Sequence, residues 1–146
     1  MYGKWFECKV SLKRTLDDGL QKQVKEIYIV DAVNFTEAEA RILDEMSVYT
    51  DVTLISIKYC EANEIVDSHN PSDGFWYKVK LSMISIDESA GKEKKVNVVY
   101  YVRAKDFNSA LANTESYMSG SVMDYTVVSI TETSIMEVFE YKKLPE

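Results

Sequence analysis

"YIVDAVNFTEAEA", residues 28 to 40, returns 72 positions later as "YYVRAKDFNSALA", residues 100 to 112, with Tyr, Val, Ala, Phe and two further Ala in matching places. A pattern stated twice in a short chain is read first as an internal repeat. Within the stretch, a run of Val, Ile and Tyr gives way to a residue that can cap a helix, Asn34 or Asp106, and then to helical spacing. It is a junction from strand to helix.

The match extends outward from that junction. "WFECKV" at 5 to 10 pairs with "WYKVKL" at 76 to 81, "VKEIYIVDA" at 24 to 32 with "VNVVYYVRA" at 96 to 104, and "LISI" at 54 to 57 with "VVSI" at 127 to 130. Phe6, Cys8, Val10 and Leu12 alternate with Trp5, Glu7, Lys9 and Ser11, the period-two signature of a half-buried strand. Tyr77, Val79, Leu81 and Met83 repeat the inner face. A turn follows, with Asp18-Gly19 in one half and Gly91 in the other. The second strand is apolar on both phases as it runs to Ala32 or Ala104, so both of its faces are expected to be covered.

Asn34 and Asp106 are the preferred N-caps, with Thr36 and Glu39 offering a rival frame in the first half alone. Phe35, Ala38, Ile42 and Met46 then fall on one helical face, answered by Phe107, Ala110, Thr114 and Met118. The two Phe are read as core anchors. A third strand carries Ile55 and Ile57, or Val128 and Ile130.

The expected fold is α+β: a tandem β-β-α-β repeat forming an antiparallel sheet of about six strands, with two helices on one face and a pseudo-two-fold axis. Residues 1–66 form the first repeat, 67–74 a turn-rich linker ("DSHNPSDG" from 67 to 74), and 75–146 the second, in one joint globular unit. Strand order within each repeat is expected to be 2-1-3. The tail "SIMEVFEY", 134 to 141, is a candidate edge strand.

Chemistry is sparse. The single histidine, His69, lies in the linker without a second histidine for a metal site or an orienting partner for catalysis. None of the five glycines builds a phosphate loop or a dinucleotide fingerprint. Carboxylate pairs such as Asp17 with Asp18, or Glu37 with Asp44, fall in loops or on solvated helix faces, away from any cleft that would shift a pKa. The reading leans away from an enzyme, and no cofactor and no metal are expected. Cys8 and Cys60 are the only thiols and read as small buried hydrophobes. "MYGKWFECKV" has no apolar run of signal-peptide length, and no segment approaches a membrane span, so a cytoplasmic protein without membrane contact is expected.

A net charge of −7 disfavours sequence-blind binding to nucleic acid but leaves room for a local basic face. Trp5 and Trp76 stand at equivalent places, on the strand phase that carries Lys9 and Lys13 in one half and Lys78 and Lys80 in the other. Rings among lysines on a sheet suit single-stranded nucleic acid, with bases stacked on indoles and ammonium groups on phosphates. The same rings suit packing against the sheet's second face, a protein partner or a homodimer interface. A small nucleotide held between the repeats is a third reading.

The segments "WFECKV", "IYIVDAVNFTEAEARILDEM", "WYKVKL" and "SITETSIMEVFEY" resemble those of an uncharacterised domain-of-unknown-function family found in Bacteroidetes and in their phages and mobile elements. The resemblance implies a small soluble cytoplasmic or phage-encoded protein, and with the Trp and Lys phase it favours a non-enzymatic binding or accessory protein of such an element. It carries over no catalytic residue.

Overall fold

The computed structural model of the protein describes residues 3–141. Two compact units form, one from Met1–Glu61 with Ser134–Glu146, the other from Ala62–Thr133. The described residues build two mixed sheets of four strands each, with one helix in each unit. A single antiparallel sheet of about six strands does not form. The reason lies in two short strands that run parallel to their neighbours.

In the first unit, β1 (Lys4–Thr15) and β2 (Gln21–Ala32) make a long antiparallel hairpin, from Lys4 opposite Ala32 to Thr15 opposite Gln21. Gly19 takes φ +84°, a backbone state that costs glycine little, and the Asp18 carboxylate accepts from the Leu20 amide at 3.0 Å to hold the turn. Helix α1 (Phe35–Glu45) starts at Asn34, whose side chain accepts from the Glu37 amide at 2.8 Å, while the Glu37 carboxylate accepts from the Val33 amide at 3.2 Å. A 3-10 turn, Met46–Val48, leads into β3 (Thr50–Cys60), which pairs with β1 on the side away from β2.

β8 (Ile135–Phe139) then lies parallel to β2, with Tyr28 opposite Glu137 and Val30 opposite Phe139, giving the order β3-β1-β2-β8. The tail is thus an edge strand. Phe6, Cys8, Val10, Leu12, Tyr28, Val30, Ala38, Ile42 and Met46 form the core between this sheet and its helix.

The second unit follows the same plan. β5 (Phe75–Asp87) and β6 (Lys92–Ala104) form the hairpin, α2 (Phe107–Met118) starts at Asp106, and β7 (Asp124–Glu132) pairs with β5. The Asp106 carboxylate accepts from the Ser109 amide at 2.7 Å, and its backbone angles, φ −158° and ψ 177°, match those of Asn34 at −157° and 176°. β4 (Glu64–Val66) runs parallel to β6, with Glu64 opposite Tyr100 and Val66 opposite Val102, for the order β4-β6-β5-β7. Tyr77, Val79, Leu81, Tyr100, Val102, Ala104, Ala110 and Met118 make this core. Residues 67–74 join β4 to β5 by way of Asx turns, in which the Asp67 and Asn70 side chains accept from the His69 and Ser72 amides at 2.8 and 3.1 Å.

One expectation about side chains is overturned. Phe35 and Phe107, read as core anchors, are 54% and 51% exposed; each is the first residue of its helix and meets the core edge-on, at Phe6 and Tyr77. Ile55 and Val128, placed by the sequence in the third strand with Ile57 and Ile130, are exposed. Lys9 faces Ser56 while Val10 faces Leu54, which leaves Ile55 as an extra residue; likewise Lys80 faces Ser129 and Leu81 faces Val127, leaving out Val128. Each is a β-bulge, and it hands the inner positions to Leu54 and Ile57, or to Val127 and Ile130.

Candidate interaction surface

The strand phase of Trp5 continues through Glu7, Lys9 and Lys13 and points away from α1, since the opposite phase fills the helix-side core. Trp5 stands opposite Asp31 and Glu7 opposite Ile29, and Trp5, Ile29 and Asp31 are all buried. In the second unit Trp76 stands opposite Arg103 and Lys78 opposite Tyr101. Trp5 is 4% exposed and Trp76 1%, so neither indole presents a face on which a base could stack.

The lysines of that phase remain at least partly accessible. Lys13 is neutralised by Asp51 at 2.8 Å, and Lys58 is spent on Glu7 at 3.0 Å. Lys9 sits between Ile27 and Ser56, and Lys80 between Val99 and Ser129, matching surroundings with no salt bridge at either ammonium among the described residues. Thus the structure separates the expected elements of a nucleic-acid face. The rings are inside and the charges outside.

A different surface draws together what the bulges and helix starts expose. Phe35 and Ile55, with Thr36, Glu39, Leu54, Ser56 and Ile57, line an open groove of about 370 Å³ between the first turn of α1 and β3. Ile55 is 45% exposed. In the second unit Phe107 and Val128, which occupy the same structural positions, are 51% and 60% exposed. Sequence reading missed this surface because period-two alternation assigns Ile55 to the core; a bulge inverts the phase and leaves no mark in composition.

A second cluster lies on the helix side of the first hairpin. Arg14 and Glu26 fall on the inner phase of β1 and β2, where a charge needs a partner, and they pair through Arg14 Nη2 and Glu26 Oε1 at 2.8 Å. The guanidinium also lies over the Tyr49 ring, 4.6 Å from its centroid. Burial, with Glu26 alongside, pushes the Tyr28 hydroxyl up to about 12. Arg14, Tyr28 and Tyr49 border a cavity of about 360 Å³ with Met46, Met136 and Phe139, and the Arg14 guanidinium there is already paired to Glu26. Burial likewise pushes the Cys8 thiol up to about 12, with Glu7 adding to the effect, so Cys8 is a packed thiol rather than a nucleophile.

Among the described residues no group of three or more His, Cys, Asp or Glu is placed to hold a metal ion. His69 is on the linker surface at φ +56°, with Asp67 3.7 Å away. No helix of the described residues is long and apolar enough to cross a membrane.

Two α+β units, each a mixed four-stranded sheet with one helix, define the class of this protein. The chain belongs to the family described as Domain of unknown function (DUF4494), whose profile matches residues 4–141. No curated protein and no solved structure matches it.

Proposed function

We propose that the protein is a non-enzymatic binding module that docks a protein segment through the groove beside α1, and that its two units arose by tandem duplication of one β-β-α-β element. The observation that carries the docking reading is the outward pair Phe35 and Ile55, with Phe107 and Val128 in the corresponding place. Aromatic and aliphatic side chains left half-exposed at one position in both units suit anchoring contacts with a partner. The bulges at Ile55 and Val128 also disfavour simple strand addition at β3 and β7, which directs recognition to side chains.

The rim of the groove selects the partner's charge. Of the acidic residues of α1, Glu39 lines the groove, and no basic residue does, on a chain of net charge −7. The favoured ligand is therefore an apolar segment flanked by Lys or Arg. Matching cap angles at Asn34 and Asp106 and matching bulges support the duplication. The resemblance to proteins of Bacteroidetes and their phages and mobile elements is the support for an accessory role in such an element.

Peptide binding tests the reading. Peptides with Phe or Leu anchors between lysines should bind the protein saturably, and their counterparts with glutamates should not. Phe35→Ser combined with Ile55→Ser should abolish binding while the protein still melts cooperatively, its melting temperature lowered by only several degrees. An equal response to both peptide charges, or binding that survives the double substitution, overturns it. A second reading, single-stranded nucleic acid along Lys9, Lys13, Lys78 and Lys80, draws support from the unpaired Lys9 and Lys80; a salt-dependent affinity for an oligonucleotide would favour it.

A further inference from the structure

The cavity of about 360 Å³ on the helix side of the first hairpin shares no lining residue with the docking groove. Tyr28 and Met46, 4% and 2% exposed, form its depth, whereas Val48, Tyr49 and Met136 at its mouth are 82%, 36% and 48% exposed. A concave site with apolar walls and a few polar groups is the usual form of a small-molecule pocket.

The charges of this cavity do not balance. Arg14 is its one basic residue, and Nε and Nη2 of Arg14 already donate to Glu26 at 3.3 and 2.8 Å. Glu45 and Glu137 also line it, and neither takes part in an ion pair among the described residues. Glu45 accepts from the Tyr141 hydroxyl at 2.7 Å and Glu137 from the Val138 amide at 3.2 Å, both neutral donors, which leaves acceptor positions open on each carboxylate. Glu45 is moreover the last residue of α1, where the carbonyl ends make the potential negative and the last turn holds no basic residue.

The second unit shows that the fold does not need these charges. Val98 faces Leu81 where Glu26 faces Val10, and Tyr100 faces Val79 where Tyr28 faces Cys8. Counted from the helix start, Tyr117 holds the position of Glu45, and its ring packs edge-on to Tyr100 with centroids 5.7 Å apart. A ring thus stands in one unit where a carboxylate beside an open space stands in the other. Replacing such packing with an uncompensated carboxylate destabilises a fold, and natural proteins tolerate that at functional sites.

We infer that this cavity is a site for a linear aliphatic diamine, its two ammonium groups held by Glu45 and Glu137 and its hydrocarbon chain lying against Met46, Met136 and Phe139. Two carboxylates on separate elements call for two positive charges, and thioether and aromatic walls suit a flexible methylene chain without polar atoms. A single ammonium, as on a lysine side chain, satisfies only half of the site. The inference does not rest on the docking groove.

Titration calorimetry of the full-length protein with cadaverine tests it, and one saturable site is expected. Pentylamine and N-acetyl-lysine amide should bind at least about tenfold more weakly, since each forgoes one charge-assisted contact. Glu45→Gln with Glu137→Gln should weaken cadaverine by at least about tenfold for the same reason. The exposed pair Glu115→Gln with Asp124→Asn changes the net charge equally and should leave the affinity unchanged. Glu45→Tyr, which imports the ring of the second unit, should abolish binding. Phe35→Ser with Ile55→Ser should bind cadaverine as the unsubstituted protein does, which tells failure of this site from failure of the docking groove. Absence of saturable binding, or pentylamine binding as tightly as cadaverine, overturns the inference on the unsubstituted protein, whether or not every variant folds. So does an equal loss from the exposed pair, which would mean general attraction to an acidic chain.

Discussion

Phe139 lies nearly flat against Tyr28, with ring centroids 5.6 Å apart and planes 14° from parallel, so an aromatic at the end of the last strand covers the core that the first hairpin begins. Tyr28 is only 4% exposed. Phe139→Ala should therefore uncover Tyr28 as well as lose its own burial, and destabilise the protein by about 2 kcal/mol, less than a fully buried Phe because Phe139 is only partly buried to begin with. Urea denaturation checks this. An unchanged midpoint would mean that β8 contributes nothing to the first unit.

The helix stripe predicts a sharp contrast within α1. Ile42 is fully buried against the sheet, and Ile42→Ala should cost about 2 to 5 kcal/mol through lost transfer energy and the cavity left behind. Phe35 retains only an edge contact with Phe6 and is 54% exposed, so Phe35→Ala should cost about 1 kcal/mol. Parallel denaturant melts of the two variants decide it, and equal costs would contradict the placement of Phe35.

That contrast also marks what the residues disclosed and what they withheld. Alternation along β1 and β5, the caps at Asn34 and Asp106 and the stripe Ala38, Ile42, Met46 were legible because each depends on residues near in sequence, and the 2-1-3 order because a return strand beside the first keeps all neighbours antiparallel. The separation into two sheets was not. It depends on where β4 and β8 go after connections of two or three residues, and a three-residue strand such as Glu64–Val66 has too few positions to show a period. The groove beside α1 was hidden because the bulge at Ile55 inverts the strand's phase. The Trp and Lys phase was legible as a phase, but alternation alone does not tell which side of a sheet stays open.

Asn34 and Asp106 do the same structural work with different chemistry, and acid should tell them apart. The Ser109 amide, bonded to the Asp106 carboxylate, holds its pKa below the usual value; protonation weakens that acceptor. Because the folded-state pKa is the lower one, the contribution is complete above the unfolded pKa, about 4, and is lost as pH falls through the folded value. Asp106→Asn should flatten this part of the acid-side decline in melting temperature, and Asn34→Asp should steepen it. Removing the neutral cap outright, Asn34→Ala, should cost about 1 kcal/mol at any pH. Melting curves from pH 5 downward measure all three.

Trp76 offers the test that separates packing from base stacking. At 1% exposure its indole is among the largest fully buried side chains, so Trp76→Ala should destabilise the protein by about 3 to 5 kcal/mol. The hydrogen bonds from Thr133 reach the Trp76 carbonyl, which the substitution keeps, so the loss reports on the ring. Trp76→Phe should recover part of it. In the folded protein, acrylamide should quench tryptophan emission weakly, and a single-stranded oligonucleotide should leave it unchanged, because Trp5 at 4% exposure is equally shielded. If an oligonucleotide quenches the emission and Trp76→Ala folds normally but loses that response, the indole is accessible to a base and the docking reading gives way to nucleic acid.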